Sequence, residues 1–507
     1  MATALDLARG PATVNTLLKP IARAAQALCG QAAAGAGPRE LEEGVWRVVQ
    51  ALGRGLLETC IATACRARAE ADVEARGLEP RDARFRLDQD YHATQMSTFG
   101  PIRFPLFAWR ERRGAATITR TPAREALVPL HGRCRSTPVC LEWEARLGKD
   151  LPFRRAADAL CFFSHGAVRE EDTTLAAHTI AVGAAIQRHW LYRPVDDIRR
   201  LLQDRATRDR TTGRPILYLS QDAHSERRFV DDTWNAAWKS MNGLRIWAID
   251  RATGETIHLG GEYTWGDCNV VADTINDLIE LGILARDGDY GGGLRAELVV
   301  VTDGLPWIEN HVLAKLPWAH PVLDLYHALQ HLGDFAAAHS GAGTQAASRL
   351  YRRFAKQLVP ERRRRPKPAT PRKGHQKSRR LYPKRERPVG SIWALLQSLH
   401  AAQDELTVDG PSEPLNALIG YLENNLYRGD YDVCRQRGFQ LGSGAMESLH
   451  RTAAQARLKL AGARWTARAS LASVNLRLLE LAGRWDEFWA HDGIERVLDQ
   501  AFRLETA

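Results

Sequence analysis

Up to about residue 92, apolar positions recur at helical spacing, with Val45, Val48, Val49, Leu52, Leu56 and Leu57 on one stripe, which predicts a helical hairpin or bundle. Over 93–150 the pattern changes to short alternating runs, PIRFPLFAWRER and then AATITRTP, joined at Arg113-Gly114; a small β module is expected. Residues 151–212 read as helix again: PFRRAADALCFF, a break at Ser164-His165-Gly166, then DTTLAAHTIAVGAAIQRHW. Two helices around a Gly-containing turn are compatible with a helix-turn-helix, whose second helix (about 172–188) would enter a DNA major groove, and the pattern alone also describes an ordinary helical hairpin, the commoner arrangement.

From 213 to 340 the text is that of an α/β unit. ILYLSQD, LRIWAID (244–250) and TIHLGGEYT (256–264) predict an antiparallel meander with a tight turn at Arg251–Gly254. The helical stretch 269–284 leads to AELVVVTDG (296–304), an unbroken apolar run of the kind found in a strand covered on both faces. HPVLDLY (320–326) is a fifth strand candidate running into a helix. The fold class that follows is α/β: a mixed five-stranded sheet interrupted by a largely helical insertion (341–438), completed by 439–507, and preceded by the helical and small β modules.

Composition narrows this picture. A chain of 507 residues is long enough for about three domains. With 44% hydrophobic and 26% charged residues it reads as globular, with neither a membrane-length apolar stretch nor a secretory leader, so no membrane partner and a cytoplasmic, nucleoid-associated location are expected. Eight scattered cysteines lack paired spacing and read as reduced thiols. His131, Cys134, Cys140, Cys161 and His165 fall within 35 residues, a zinc alternative without finger or ribbon spacing. Trp465, Trp485 and Trp489 read as core.

The net charge of +10 is unevenly spread. Residues 352–387 hold sixteen Lys/Arg and two Glu, a local +14, leaving −4 for the rest. This Pro-studded linker, with Arg362, Arg363, Arg364, Arg365, Lys367, Arg372, Lys373, Arg379 and Arg380, suits a polyanion such as double-stranded DNA or is a solvated charge run.

Three acids stand out as chemistry. Asp222 closes ILYLSQ, Asp303 closes ELVVVT, and Glu447 lies near the start of a helix in GFQLGSGAMESLH. Strand ends are where open sheets gather functional groups, and close carboxylates call for a cation; oxygen-only donors point to Mg²⁺. Each has a bland reading: Asp222 and Asp303 as turn caps, Glu447 as part of a capping box.

VVVTDGLPWI, PVLDLYHALQHLGDF, FQLGSGAMESLHRTAAQARLKLAGARW and LAGRWDEFW occur in this order, and the chain over roughly 95–490 closely resembles prokaryotic insertion-sequence transposases of the ISKra type. The resemblance implies an RNase H-like domain with an Asp-Asp-Glu triad, falling here on Asp222, Asp303 and Glu447. Asp324 and His327, in LDLYH, resemble an accessory active-site signature of related transposases and could equally satisfy local backbone groups. Where relatives often carry Gly after the first Asp, this chain has Ala223 and His224; Asp231, Asp232 and Asp250 are the competing positions.

The activity so implied is DNA transposition: phosphodiester hydrolysis at element ends, then strand transfer into target DNA, with two Mg²⁺ ions (Mn²⁺ substituting) held by Asp222, Asp303 and Glu447, Asp222 shared between them. The partners implied are double-stranded DNA, as terminal inverted repeats and target, and a homodimer or larger synaptic assembly. The alternatives are an RNase H-like nuclease or resolvase without strand transfer, and a catalytically idle DNA-binding accessory protein.

Overall fold

The structure is a computed structural model that describes residues 11–77, 85–88, 91–113, 116–122, 135–229, 236–359, 391–409 and 412–490. The nine basic residues singled out between Arg362 and Arg380, the competing acids Asp231 and Asp232, and the zinc candidates His131 and Cys134 lie outside them. No described helix is long and apolar enough to cross a membrane.

The chain divides into two compact units: Arg188–Gln455, and the residues up to Gln187 together with those from Ala456 onward. These divisions differ from the sequence boundaries at 212/213 and 438/439, for two local reasons. Residues 188–212 belong with the sheet, because Tyr192 and Ala206 form bridges to Gly260 and Asp250. The helix Ala467–Leu481 packs instead on the helix Asp172–Ala185, where a Cβ on Gly183 would collide with the backbone of Ala472.

In the second-named unit, helices Pro11–Ala33 and Pro38–Ala75 pair, with Gly44 against Leu28. The predicted apolar stripe is only partly the buried face: Val45, Val49 and Leu56 are exposed, Val48, Leu52 and Leu57 are half-buried, and Gly44, Cys65, Ala69 and Val73 are buried. The small β module holds a three-stranded sheet of β1 (Phe85–Asp88), β4 (Ala108–Arg113) and β5 (Ala116–Arg120), and a hairpin of β2 (His92–Ser97) and β3 (Gly100–Pro105). Ile102 and Phe104 pack on Cys65 and Ala69.

The helices Phe153–Phe163 and Asp172–Ala185 occur as expected, and much of the second is buried. Leu175, His178, Thr179, Ala181, Val182 and Gly183 are all buried, and the helix packs on both Pro138–Gly148 and Ala467–Leu481. The buried face of this helix is taken up by that packing, with Thr173 and Ala184 exposed on the rest of its surface. Trp465 and Trp485 are buried, as their core reading required.

The unit Arg188–Gln455 is built on a five-stranded mixed sheet of order β10-β9-β6-β7-β8. β6 (Ile216–Phe229), β7 (Ala236–Ile249) and β8 (Thr256–Thr264) form the antiparallel meander; β9 (Glu297–Thr302) and β10 (His320–Leu323) run parallel to β6. All six residues of β9 are buried, as an apolar central strand requires. One face, carrying Ile216, Tyr218, Trp247, Val299 and Val301, is covered by helices Leu325–Ser340, Ile392–Ala401 and Ser412–Asn424. The inserted segment is therefore a layer of the core. The helix Cys268–Glu280 brings Val271 and Thr274 to Leu244 and Glu262 on the other face.

Candidate active site

The two aspartates reach one level of the sheet through strand register. In the parallel pairing of β6 with β9, Ser220 lies opposite Val301; continued by two residues, the register sets Asp222 level with Asp303 on the neighbouring strand. In the pairing of β10 with β9, Leu323 lies opposite Thr302, which sets Asp324 next in the same row. Asp303 and Asp324 stand just past the carboxyl ends of β9 and β10, where an open sheet offers its functional groups, and Asp222 is level with them inside β6. Asp222 does not end its strand, as the sequence reading expected. β6 continues to Phe229, paired with β7, because HSERRF, though polar, has a partner strand in register. Asp250 sits at the far end of β7, where it accepts from Arg205 and from the Ala252 and Thr253 N–H groups, so this competitor closes a turn.

Asp303 is held by the turn it opens and by the inserted helices. Its Oδ1 accepts from Leu305 N at 3.1 Å, and its carbonyl accepts from the Tyr421 hydroxyl at 2.8 Å. Asn425 donates to the Gly304 carbonyl at 3.2 Å; Gly304 has φ +85°, and a Cβ there would lie 2.9 Å from the Asn425 amide. Only glycine adopts that turn easily against so close a neighbour. Burial pushes the Asp303 carboxyl above its ordinary value; the Leu305 N–H opposes this and the charge of Asp222 adds to it.

Asp324 serves as a buried tie. It caps the helix Leu325–Ser340, with Oδ1 accepting from Tyr326 N at 2.7 Å, and its Oδ2 accepts from Ser443 N at 2.8 Å and from the Ser443 hydroxyl. Burial alone would push its carboxyl up, but the contact with His327 and the bonds from Ser443 and Tyr326 outweigh it and hold the group low. His327 Nδ1 lies 3.4 Å from Asp324 Oδ2. That contact raises the imidazole above its ordinary value against burial, and the charges of Asp222 and Asp303 add to the effect.

Glu447 arrives on the helix Gly444–Leu449, whose N-cap is Ser443. With Ser443 as N-cap, the third helical position is Met446, so no capping box forms, and the exposed Glu447 side chain is not taken up by one. Two glycines let this helix approach the sheet. A Cβ on Gly243, the residue opposite Asp222, would collide with Met446 and come 2.8 Å from the Tyr263 ring; one on Gly261 would lie 3.0 Å from Leu449 Cδ2. Gly442 is equally confined, 2.7 Å from the Tyr326 ring.

Two residues that the sequence reading passed over join this group. His450 Nε2 lies 3.3 Å from Asp222 Oδ2, and its Nδ1 lies 2.8 Å from the Tyr263 hydroxyl. Its position three residues after Glu447 is the signal that could have drawn attention to it.

No protein-family model and no curated protein matches the chain. Among solved structures, the chain is similar to that of a Drosophila P element transposase strand transfer complex, at 10% identity and a TM-score of 0.22, covering 74% of this chain and 85% of that one. A likeness this slight carries no argument, and the functional reading rests on the site itself.

The donor chemistry suits a hard divalent cation: Asp222, Asp303 and Glu447 are all oxygen donors, and the Asp303 carboxyl is raised chiefly by burial, with the charge of Asp222 adding to it. As the side chains are placed, no three Asp, Glu, His or Cys groups among the described residues stand close enough to hold one. The zinc alternative gains nothing here: Cys140 donates to the buried Glu144, and the His165 ring stacks on Trp46.

Proposed function

We propose that the chain is a DNA transposase of the DDE class, related to the ISKra type, with an RNase H-like core and Asp222, Asp303 and Glu447 as its acidic triad. The observation that carries this reading is the common level of Asp222 and Asp303 on adjacent parallel strands, with the Glu447 helix seated over Gly243 opposite Asp222. The antiparallel meander extended by two parallel strands is a mixed five-stranded sheet, the class that the sequence reading expected.

In this reading the three carboxylates would hold Mg²⁺ or Mn²⁺ ions, which supply activation of a water or 3′-hydroxyl nucleophile and neutralisation of the leaving oxygen. The protein's own contribution is placement. The Asn425 and Tyr421 bonds fix the Asp303 turn, the Asp324–Ser443 tie fixes the segment leading to Glu447, and the His327 imidazole lies against Asp324. The basic residues of 352–387 would neutralise phosphates of the bound duplex, so affinity falls steeply with salt.

The test uses the full chain with DNA duplexes made from the sequences that flank its coding sequence, where the reading expects inverted repeats. Mg²⁺- or Mn²⁺-dependent cleavage and joining to target DNA by wild type, and neither by Asp303→Ala, is the expected result. Cleavage without joining would replace this reading with the nuclease one. Equal activity in both proteins would overturn the assignment of Asp303.

A further inference from the structure

We infer that Tyr263 and His450 are a positioning pair for Asp222, fixing the orientation of its carboxylate and tying it to the helix that carries Glu447. This rests on the reading of Asp222 as a member of the acidic site. Both residues are buried, Tyr263 at 2% and His450 at 3% exposure. The Tyr263 hydroxyl lies 2.8 Å from His450 Nδ1, and in the proposed arrangement it donates to that nitrogen. A neutral imidazole accepting at Nδ1 carries its proton on Nε2, and Nε2 faces Asp222 Oδ2 at 3.3 Å. Asp222 Oδ1 accepts from the Ala223 N–H at 2.7 Å. Each carboxylate oxygen therefore has a donor, and the group is not free to rotate.

The pair is built into the fold from three directions. The His450 ring stacks on His224 of β6 at 5.4 Å with 26° between planes. Gly243 of β7 leaves the space, since a Cβ there would come 3.2 Å from His450 Cε1 and 2.8 Å from Tyr263 Cε1. His450 also opens a π-helical stretch, His450–Gln455, directly after the helix Gly444–Leu449. Such widened turns re-aim side chains at functional sites. The change of helical form thus begins at the residue that touches Asp222, three places after Glu447, so one side chain sets the first acid against the helix of the third.

Groups that orient a metal ligand typically change metal affinity ~10–100-fold when removed. The experiment titrates Mn²⁺ into the full chain without DNA, followed by electron paramagnetic resonance, for wild type, Tyr263→Phe, His450→Ala and His450→Gln. Binding about tenfold weaker in Tyr263→Phe and weaker still in His450→Ala, with recovery in His450→Gln, whose amide can again donate to Asp222, is the expected pattern. In wild type, ¹⁵N–¹H spectra of labelled histidine should show the Nε2-protonated tautomer for His450. Unchanged Mn²⁺ binding in folded Tyr263→Phe and His450→Ala, or an Nδ1-protonated His450, would overturn the inference. Failure of the acidic-site reading looks different: Asp303→Ala would then bind Mn²⁺ as wild type does, whatever the His450 tautomer.

Discussion

Ser443 gives both its backbone N–H and its hydroxyl to one oxygen of Asp324, across 119 positions of chain. The bond pair joins the start of one helix to the N-cap of another, so that the segment before Glu447 is fixed by a residue at the end of β10. Removing the hydroxyl leaves a buried carboxylate short of a donor. Ser443→Ala should therefore destabilise the protein by about 1.5–3 kcal/mol, the range for hydrogen bonds to charged groups, as read by urea unfolding. Cleavage should fall as well, because the Glu447 helix loses an anchor. A variant as stable as wild type would show the tie to be idle.

The same cluster sets a pH dependence, to be measured in EDTA so that no divalent ion intervenes. Asp324 is held below its ordinary value, so its contribution is present above ~3.9 and is lost as pH falls through the lower native value. His327 is held above its ordinary value, so its contribution is fully present below ~6.5 and is lost as pH rises through the higher native value. Thermal midpoints should peak between these limits. His327→Asn should remove the alkaline decline and keep the acid one; an unchanged alkaline limb would place its origin elsewhere.

The sheet was readable because its strands announce themselves: VVVT is apolar throughout and DG follows it, so β9 and Asp303 are visible at once. The continuation of β6 beyond Asp222 was not, since HSERRF is polar and becomes strand only through register with β7. Distance along the chain hid more. The burial of Asp172–Ala185 depends on a helix that begins at Ala467, nearly 300 residues later, and no local pattern carries that information. The stripe of Val45, Val49 and Leu56 shows the converse error: the period gave the helix correctly, but these three positions are exposed while small residues such as Ala69 are buried. At the site, acids were legible by type and place, whereas Tyr263 and His450 became visible only once three strands and a helix had met.

Glycine supplies a contrast that separates site from scaffold. Gly243 lies opposite Asp222, and an added methyl there would collide with Met446 and crowd Tyr263 and His450. Gly243→Ala should cost about 1–3 kcal/mol as overpacking, and should depress cleavage by pushing the Glu447 helix from the sheet. Gly420, within the helix Ser412–Asn424, has nothing within 4 Å of an added Cβ. Gly420→Ala should raise stability by up to ~1 kcal/mol and leave cleavage unchanged. The two measured side by side, by thermal unfolding and end cleavage, distinguish close approach at the site from general intolerance of bulk; equal effects would remove the special status of Gly243.

Asp303 offers the sharpest separation of stability from activity. Its carboxyl is pushed up by burial, with the charge of Asp222 adding to this, so in the metal-free protein the ionised form is disfavoured. The linkage sign follows: between ~3.9 and the raised native value the folded state binds the extra proton, and stability declines as pH rises through that window. Asp303→Asn removes the charge while keeping an oxygen to accept from Leu305 N. At pH 7 in EDTA the variant should be more stable than wild type, by about 0.5–2 kcal/mol as is common when a functional site is relaxed. Added Mg²⁺ should raise the thermal midpoint of wild type by mass action and leave the variant nearly unmoved, and end cleavage by the variant should be absent. A variant less stable than wild type in EDTA, or equally stabilised by Mg²⁺, would mean that Asp303 is a turn cap rather than a strained acid awaiting a cation.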